Sequence, residues 1–327
     1  LRGADLAWRN AEATHMARGA QLRADALVNG HGGLVVLWGS RTARAYGSFS
    51  ARGGALGGDG GFIETSGGWI DVRPQAVHTA APAGRAGQWL IDPDDLYISS
   101  STDGDVGISA GPDFSTTSEN ASLSTFTISQ ALNANNNVTI TTGNSGNSEG
   151  NGDIMLSGAF LNVAPTQPVS LTLNATGSVL MEGSSIQTLN APLSVSLQAG
   201  ALGGNVGQIE GSSNGGGIKI HSSSITTAGG DITLGGPSIA CGPTAGCSAG
   251  HTGAVAHSGS SVHDGVSIKG STLRAGSGRV QIDGHSLVGF TSTAGVRIAE
   301  GSQIEGSRIG IHGTVDAGVF GDGGQRY

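Results

Sequence analysis

The sequence predicts an all-β chain wound as a solenoid, and three observations carry that expectation. Gly accounts for 59 of 327 residues, while charged residues are only 12% and aromatics only 4%. Aliphatic and polar residues alternate within segments of three to five residues, the period of a strand with one buried face. Those segments recur at a fixed step. Ile218, Ile225 and Ile232 stand seven apart, as do Val266, Leu273 and Val280.

Each observation also excludes something. So much Gly costs about 1 kcal/mol per helical site relative to Ala, which removes a helical bundle. Hydrophobic residues at 37% and sparse charge argue against disorder. Gly falls at no strict third position, so collagen is excluded. A β-sandwich would need longer strands and more aromatic bulk, yet eight of the fourteen aromatics lie in residues 1–100. Short strands with tight polar corners can instead coil, each turn bonding to the turns above and below. At about 20–25 residues per turn the chain would make about 13–16 coils, a rod of about 60–75 Å.

In chain order, residues 1–100 carry nine Arg and nine acids; residues 101–210 carry eight acids and neither Lys nor Arg; residues 211–327 carry seven cations and seven acids. The net charge of −8 therefore arises in the middle third. These three stretches are read as one continuous solenoid, with a Gly/Ser/Cys-rich insertion near 235–265. Val138-Thr139-Ile140, Ile154-Met155-Leu156, Val169 to Leu173, Val179-Leu180-Met181 and Val195-Ser196-Leu197 supply strands upstream of the heptad-stepped copies. No cationic footprint suited to nucleic acid exists. The densest apolar run, Leu34 to Trp38, is far short of the roughly 20 residues of a membrane span. The chain opens on Leu1-Arg2-Gly3-Ala4-Asp5, without an initiator Met or a signal-peptide core. It is expected to be a piece of a longer protein.

One stretch goes beyond periodicity. It runs Gly30-His31-Gly32-Gly33-Leu34-Val35-Val36-Leu37-Trp38, then Gly47-Ser48-Phe49-Ser50-Ala51-Arg52-Gly53-Gly54. Gly57-Gly58-Asp59-Gly60-Gly61-Phe62-Ile63-Glu64-Thr65-Ser66-Gly67 follows, then Gly87-Gln88-Trp89-Leu90-Ile91-Asp92-Pro93. This succession resembles the filamentous-haemagglutinin-like exoproteins of Gram-negative two-partner secretion systems, the group that includes the high-molecular-weight adhesins. The match is close over about residues 20–100; Thr127 to Leu132 before Asn137 to Thr141 adds a looser one. The resemblance implies a right-handed parallel β-helix, export by a dedicated outer-membrane transporter, and a secreted or cell-surface location. It implies adhesion to a host-cell protein or glycan and no catalytic residues. The family's N-terminal secretion domain, with its Asn-Pro-Asn signature, is absent from these residues. Two other functions remain open: a β-helical carbohydrate-active lyase or hydrolase, and the stalk of a contact-dependent growth-inhibition toxin.

No catalytic, cofactor or metal site is expected. Gly211-Ser212-Ser213-Asn214-Gly215 matches a nucleophile elbow, but a strand follows where a helix is required. His251, His257 and His263 are spaced six apart, which suits neither a helical nor a strand ligand pair. Glu64, Asp92, Asp94 and Asp95 could form paired carboxylates, but turn capping and Asx-turns are the better reading. Gly57 to Gly61 is a single copy of a pattern that calcium-binding repeats use in tandem. Asn120, Asn137 and Asn174 head glycosylation-type sequons. Cys241 and Cys247, separated by a five-residue Gly/Pro spacer, can close a small disulfide; two thiols are the other reading.

The alternation assigns Ile63, Thr65, Val35, Leu37, Ile268 and Ile282 to the inside, and Phe62, Glu64, Trp38, Lys269 and Gln281 to the outside. Burying an unpaired carboxylate costs several kcal/mol. Ile268→Asp should therefore lower the melting temperature sharply while Lys269→Asp barely changes it. Equal melting temperatures would mean the register is off by one residue.

Overall fold

The structure, a computed structural model, describes residues 11–100, 121–143, 152–200, 216–235, 254–256, 264–286 and 294–315. Every strand pair in it is parallel, and the strands form four sheets. The largest has eleven strands. Ten of them stack in chain order: Ala13–Met16, Leu34–Ala45, Phe62–Val72, Gln88–Asp92, Asn137–Thr141, Val169–Asn174, Leu193–Gln198, Ile232–Gly235, Arg279–Ser286 and Arg308–Val315. A seven-stranded sheet includes Leu96–Ser99, Ile154–Ser157, Val179–Glu182, Ile218–His221, Val266–Lys269 and Val296–Ala299. A five-stranded sheet stacks Phe160–Val163, Ser185–Thr188, Ser224–Thr226, Thr272–Arg274 and Gln303–Glu305. A three-stranded sheet holds Gln21–Arg23, Ser48–Ser50 and Ala76–His78.

The chain visits these faces cyclically. Val179–Glu182, Ser185–Thr188 and Leu193–Gln198 make one coil, and Ile218–His221, Ser224–Thr226 and Ile232–Gly235 make the next. The seven-residue step in the sequence is thus the distance from one face to the next. This is a parallel β-helix, as expected. Its coils are longer than expected, however. Successive rungs of the largest sheet are 24 residues apart between Val169 and Leu193, but 49 between Gln88 and Asn137 and 48 between Ile232 and Val280. The strand period was read correctly while the lengths of the connections were not. Among the described residues ten rungs stack in this sheet, fewer than the expected 13–16 coils, and they span about 43 Å.

Inward apolar side chains, aliphatic in these columns except for Trp89, stack along the axis. Ile63, Trp89, Val138, Leu171, Val195, Ile232 and Val280 stack in register, and so do Ile91, Ile140, Leu173, Leu197, Leu234 and Ile282. All are buried, as are Ile268 and the column Ile98, Leu156, Met181 and Ile220 beneath it. Each such side chain contributes about 1.5–3 kcal/mol by leaving water. Lys269 and Gln281 are exposed, so the register follows the sequence alternation.

Corners between the seven- and five-stranded sheets turn on a single residue of positive φ: Gly158 at 56°, Gly183 at 56°, Ser222 at 47° and Gly270 at 56°. The buried residue after it is Ala159 and then, rung by rung, Ser184, Ser223 and Ser271. Ser184, Ser223 and Ser271 donate to the carbonyls of Glu182, His221 and Lys269. Their hydroxyls accept the backbone amides of Ala159, Ser184 and Ser223 at 3.0, 3.1 and 3.1 Å. The Ser-rich corner is thus an internal ladder that satisfies its own buried groups.

A nine-residue helix, Thr125–Asn133, occupies the third face between Ala76–His78 and Phe160–Val163. The Ser124 hydroxyl caps it by accepting the Phe126 amide at 3.0 Å. It interrupts the stacking of strands on that face, and an asparagine run takes over the inter-coil bonds. Buried Asn136 donates to Val77 O and Ala131 O, and accepts from the Thr79 amide and hydroxyl. Asn133 accepts the Ala164 amide, and Asn135 those of Thr166 and Gln167. Asn136→Ala should cost about 3 kcal/mol or more, because it strands several buried polar groups. Urea unfolding measures this, and a loss under about 1 kcal/mol would remove Asn136 as the link between coils.

Candidate functional surface

The residues that carry the family resemblance lie on three consecutive rungs. Leu34, Phe62 and Gln88 are in register, with the glycine pairs Gly32-Gly33 and Gly60-Gly61 and then Ala86-Gly87 immediately before them. Backbones touch there. A Cβ on Gly60 would overlap the Thr79 carbonyl, and one on Gly61 or Gly87 the carbonyl of the rung beneath. Inside, fully buried Trp89 donates its Nε1–H to Thr65 Oγ1 at 3.2 Å. An inward Thr in Phe-Ile-Glu-Thr thus supplies the acceptor that a buried indole needs. At the corner, His31 Nδ1 accepts the Asp59 amide and Asp59 Oδ1 accepts the Arg85 amide, again rung to rung.

The four acids singled out from the sequence do not converge. Glu64 and Asp92 stand in different outward columns of the largest sheet, and Glu64 accepts the Ser66 hydroxyl at 2.8 Å. Asp94 bonds through its amide to Gly68 O. Asp95 is buried and pairs with an acid that sequence reasoning passed over, Asp153, whose amide it accepts at 2.7 Å. Asp153 in turn accepts the Ser178 amide at 2.7 Å. Burial pushes the Asp153 carboxyl up to about 6; the Ser178 bond opposes the rise and the Asp95 charge adds to it. The signal was present in the sequence: Asp95-Leu96-Tyr97-Ile98-Ser99 is answered by Asp153-Ile154-Met155-Leu156-Ser157.

A second missed cluster joins Tyr46, Asp71 and Arg73. Arg73 grips Asp71 with two bonds, at 2.7 and 2.5 Å, while its guanidinium lies 5.1 Å from the centre of the Tyr46 ring. Tyr46 donates its hydroxyl to Asp71 at 2.5 Å. Burial and the Asp71 bond raise the Tyr46 pKa above the usual range. Arg73 also borders a cleft of about 400 Å³ shared with Arg18, Gln75 and the first turn of the helix.

Outward columns are chemically distinct from face to face. On the largest sheet the middle rungs are neutral: Thr139, Thr172, Ser196, Thr233 and Gln281 form one column, and Thr141, Asn174 and Gln198 another. The seven-stranded sheet is charged, with Glu182, His221 and Lys269 in register beside Lys219, Ser267 and Arg297. Lys219 pairs with Glu182 at 3.7 Å and Lys269 with Glu300 at 2.8 Å. Burial, then the charges of Lys219 and Lys269, holds the His221 pKa below its usual value. Of the sequons, Asn137 uses its amide structurally, donating to Ala86 O and accepting from Ser170.

Cys241, Cys247, His251, His257, His263, Asn120 and the Gly211–Gly215 segment lie outside the described residues. Among the described residues, no group of three His, Cys, Asp or Glu is placed to hold a metal ion. None of their helices is long and apolar enough to cross a membrane. No protein-family model matches the chain, and no curated protein matches it significantly.

The Asp95–Asp153 pair has a consequence for stability. The folded-state pKa of Asp153 is raised from 3.8 to about 6. Between those values the folded chain holds a proton that the unfolded chain has lost, so stability falls as pH rises through that window. Asp153→Asn keeps the oxygen that accepts the Ser178 amide and removes the charge. It should gain about 2 kcal/mol at neutral pH and flatten the profile between about pH 4 and 6. Unfolding midpoints across that range test this; a variant less stable than the parent at neutral pH would refute it.

Proposed function

We propose that this chain is the non-catalytic body of an adhesin-like exoprotein of the two-partner secretion type. A dedicated outer-membrane transporter exports the full-length protein, which is secreted or displayed on the bacterial surface. Its faces meet host-cell protein or glycan. One observation carries the reading. The Gly-Gly-Phe-Ile-Glu-Thr-Ser-Gly and Trp-Leu-Ile-Asp-Pro segments of the family resemblance fall on adjacent rungs of a parallel β-helix, joined by the Trp89–Thr65 bond. Their spacing therefore has a physical basis as one coil.

The outer faces support the same reading. Columns of hydroxyl and amide groups repeat at about 4.8 Å along the axis. Such a surface offers many shallow contacts, whose joint engagement can raise avidity by about 10²–10⁴. The carboxylates of Asp95 and Asp153 are committed to backbone amides of neighbouring coils, which is a capping role.

The test begins in the genome. The intact gene should neighbour one for an outer-membrane transporter, and co-expression of the two should bring the chain to the cell surface, where added protease cleaves it. Beads coated with the purified chain should then adhere to epithelial cells. A lone gene whose product stays inside the cell, or beads that bind no better than albumin-coated ones, would overturn the proposal.

A further inference from the structure

Among the described residues, the cations of the C-terminal coils are paired with acids, with two exceptions. Lys219, Lys269, Arg274 and Arg297 have Glu182, Glu300, Glu305 and Asp264 at 3.7, 2.8, 3.2 and 2.6 Å. Arg279 and Arg308 are direct Cα partners on adjacent rungs of the largest sheet, and both are exposed. Neither guanidinium has an ion pair or hydrogen bond among the described residues. The two nearby acids are engaged elsewhere. Asp231 Oδ1 accepts the Arg279 backbone amide at 2.8 Å, and both Asp283 oxygens accept from Gln281 Nε2 at 3.0 Å. In-register like charges on a sheet repel each other.

Beside the two arginines lies a groove of about 490 Å³ whose lining also includes Asp231, Thr233, Gln281 and Gly310. Gly310 opens it, since a Cβ there would strike the Gln281 amide. We propose that this groove binds an acidic oligosaccharide of uronate type, with one carboxylate shared between the guanidinia of Arg279 and Arg308. Rungs about 4.8 Å apart bring two guanidinia within reach of the two oxygens of one carboxylate, whereas successive carboxylates of an extended 1,4-linked chain face alternate sides. Thr233 and Gln281 offer neutral hydrogen-bonding groups to the sugar hydroxyls. Two cations are too few for nucleic acid, whose affinity comes from neutralising many phosphates. The inference deepens the reading of the chain as a glycan-binding body but is independent of its export route.

Calorimetric titration of the whole chain with tetragalacturonate tests it, with maltotetraose as the neutral arm and a heparin tetrasaccharide as the sulfated arm. Tetragalacturonate should bind with a submillimolar Kd that weakens with salt, and it should raise the melting temperature. The Arg279→Gln/Arg308→Gln double variant should bind at least about tenfold more weakly. Its own melting temperature should be unchanged or higher, since a repulsion is removed. Equal affinity in the double variant, equal binding of maltotetraose, saturation by the heparin fragment alone, or no binding at millimolar ligand would each overturn the site. Bead adherence that survives the double substitution while the titration fails would sink this site and leave the adhesin reading standing.

Discussion

Backbone hydrogen bonds that run along the axis, from each rung to the next, are the constraint on which everything else in this β-helix depends. Because the described pairings are parallel and keep register, apart from one shift between Gly39 and Thr42, a side chain at one position sees the same position one coil up and one coil down. An inward residue must therefore match its column. Val138, Leu171, Val195 and Ile232 satisfy that demand with branched aliphatics of similar size. Trp89 breaks the column and brings with it a second requirement, a hydrogen-bond acceptor, which Thr65 meets from the rung beneath. A core of stacked columns leaves little freedom inside and considerable freedom outside.

Corners face the opposite problem. A chain that turns sharply every few residues exposes amides and carbonyls that the next coil then covers. Three devices deal with this, each matched to its local geometry. Serine hydroxyls serve at the one-residue corners, carboxylates serve at Asp59, Asp95, Asp153 and Asp231, and asparagine amides serve beside the helix. Many of the polar residues in the described coils are thus structural caps on the coil above or below. Asp25 shows the energetics. Burial works to raise its pKa, but the Ser50 hydroxyl, the Arg52 amide and the flanking arginine charges outweigh burial and hold it low.

Legibility in the sequence followed the same division. Strand identity and inward register could be read directly, because Ile268 and Ile282 against Lys269 and Gln281 obey a two-residue period that one buried face imposes. The number of coils could not, because the corners tolerate insertions of very different length without disturbing the strands that follow. The helix Thr125–Asn133 was visible only as a familiar string, since its role depends on Val77, Thr79 and Ala164, which are distant in sequence. Asp153 escaped notice for a similar reason. It lies 58 residues from Asp95, so the likeness of the two segments is visible in the sequence while their pairing along the coil path is not.

In the described coils charge is sorted by face. The excess of acids belongs to residues 101–210, which suggests an acidic middle to the rod. Of those eight acids, however, only Asp153 and Glu182 fall among the described residues. Both belong to the side of the seven-stranded sheet, Asp153 at a corner and Glu182 in register with His221. The outward columns of the largest sheet over Asn137–Thr141, Val169–Asn174 and Leu193–Gln198 carry no charged side chain. A ligand moving along that face would meet hydroxyls and amides for several rungs before reaching the paired arginines Arg279 and Arg308. A neutral track of this kind holds weakly and without preference for charge, whereas two unpartnered guanidinia favour an anion. On one continuous sheet, then, affinity that comes from repetition and selectivity that comes from a local charge can be set independently, because outward residues do not have to match their columns as inward ones do.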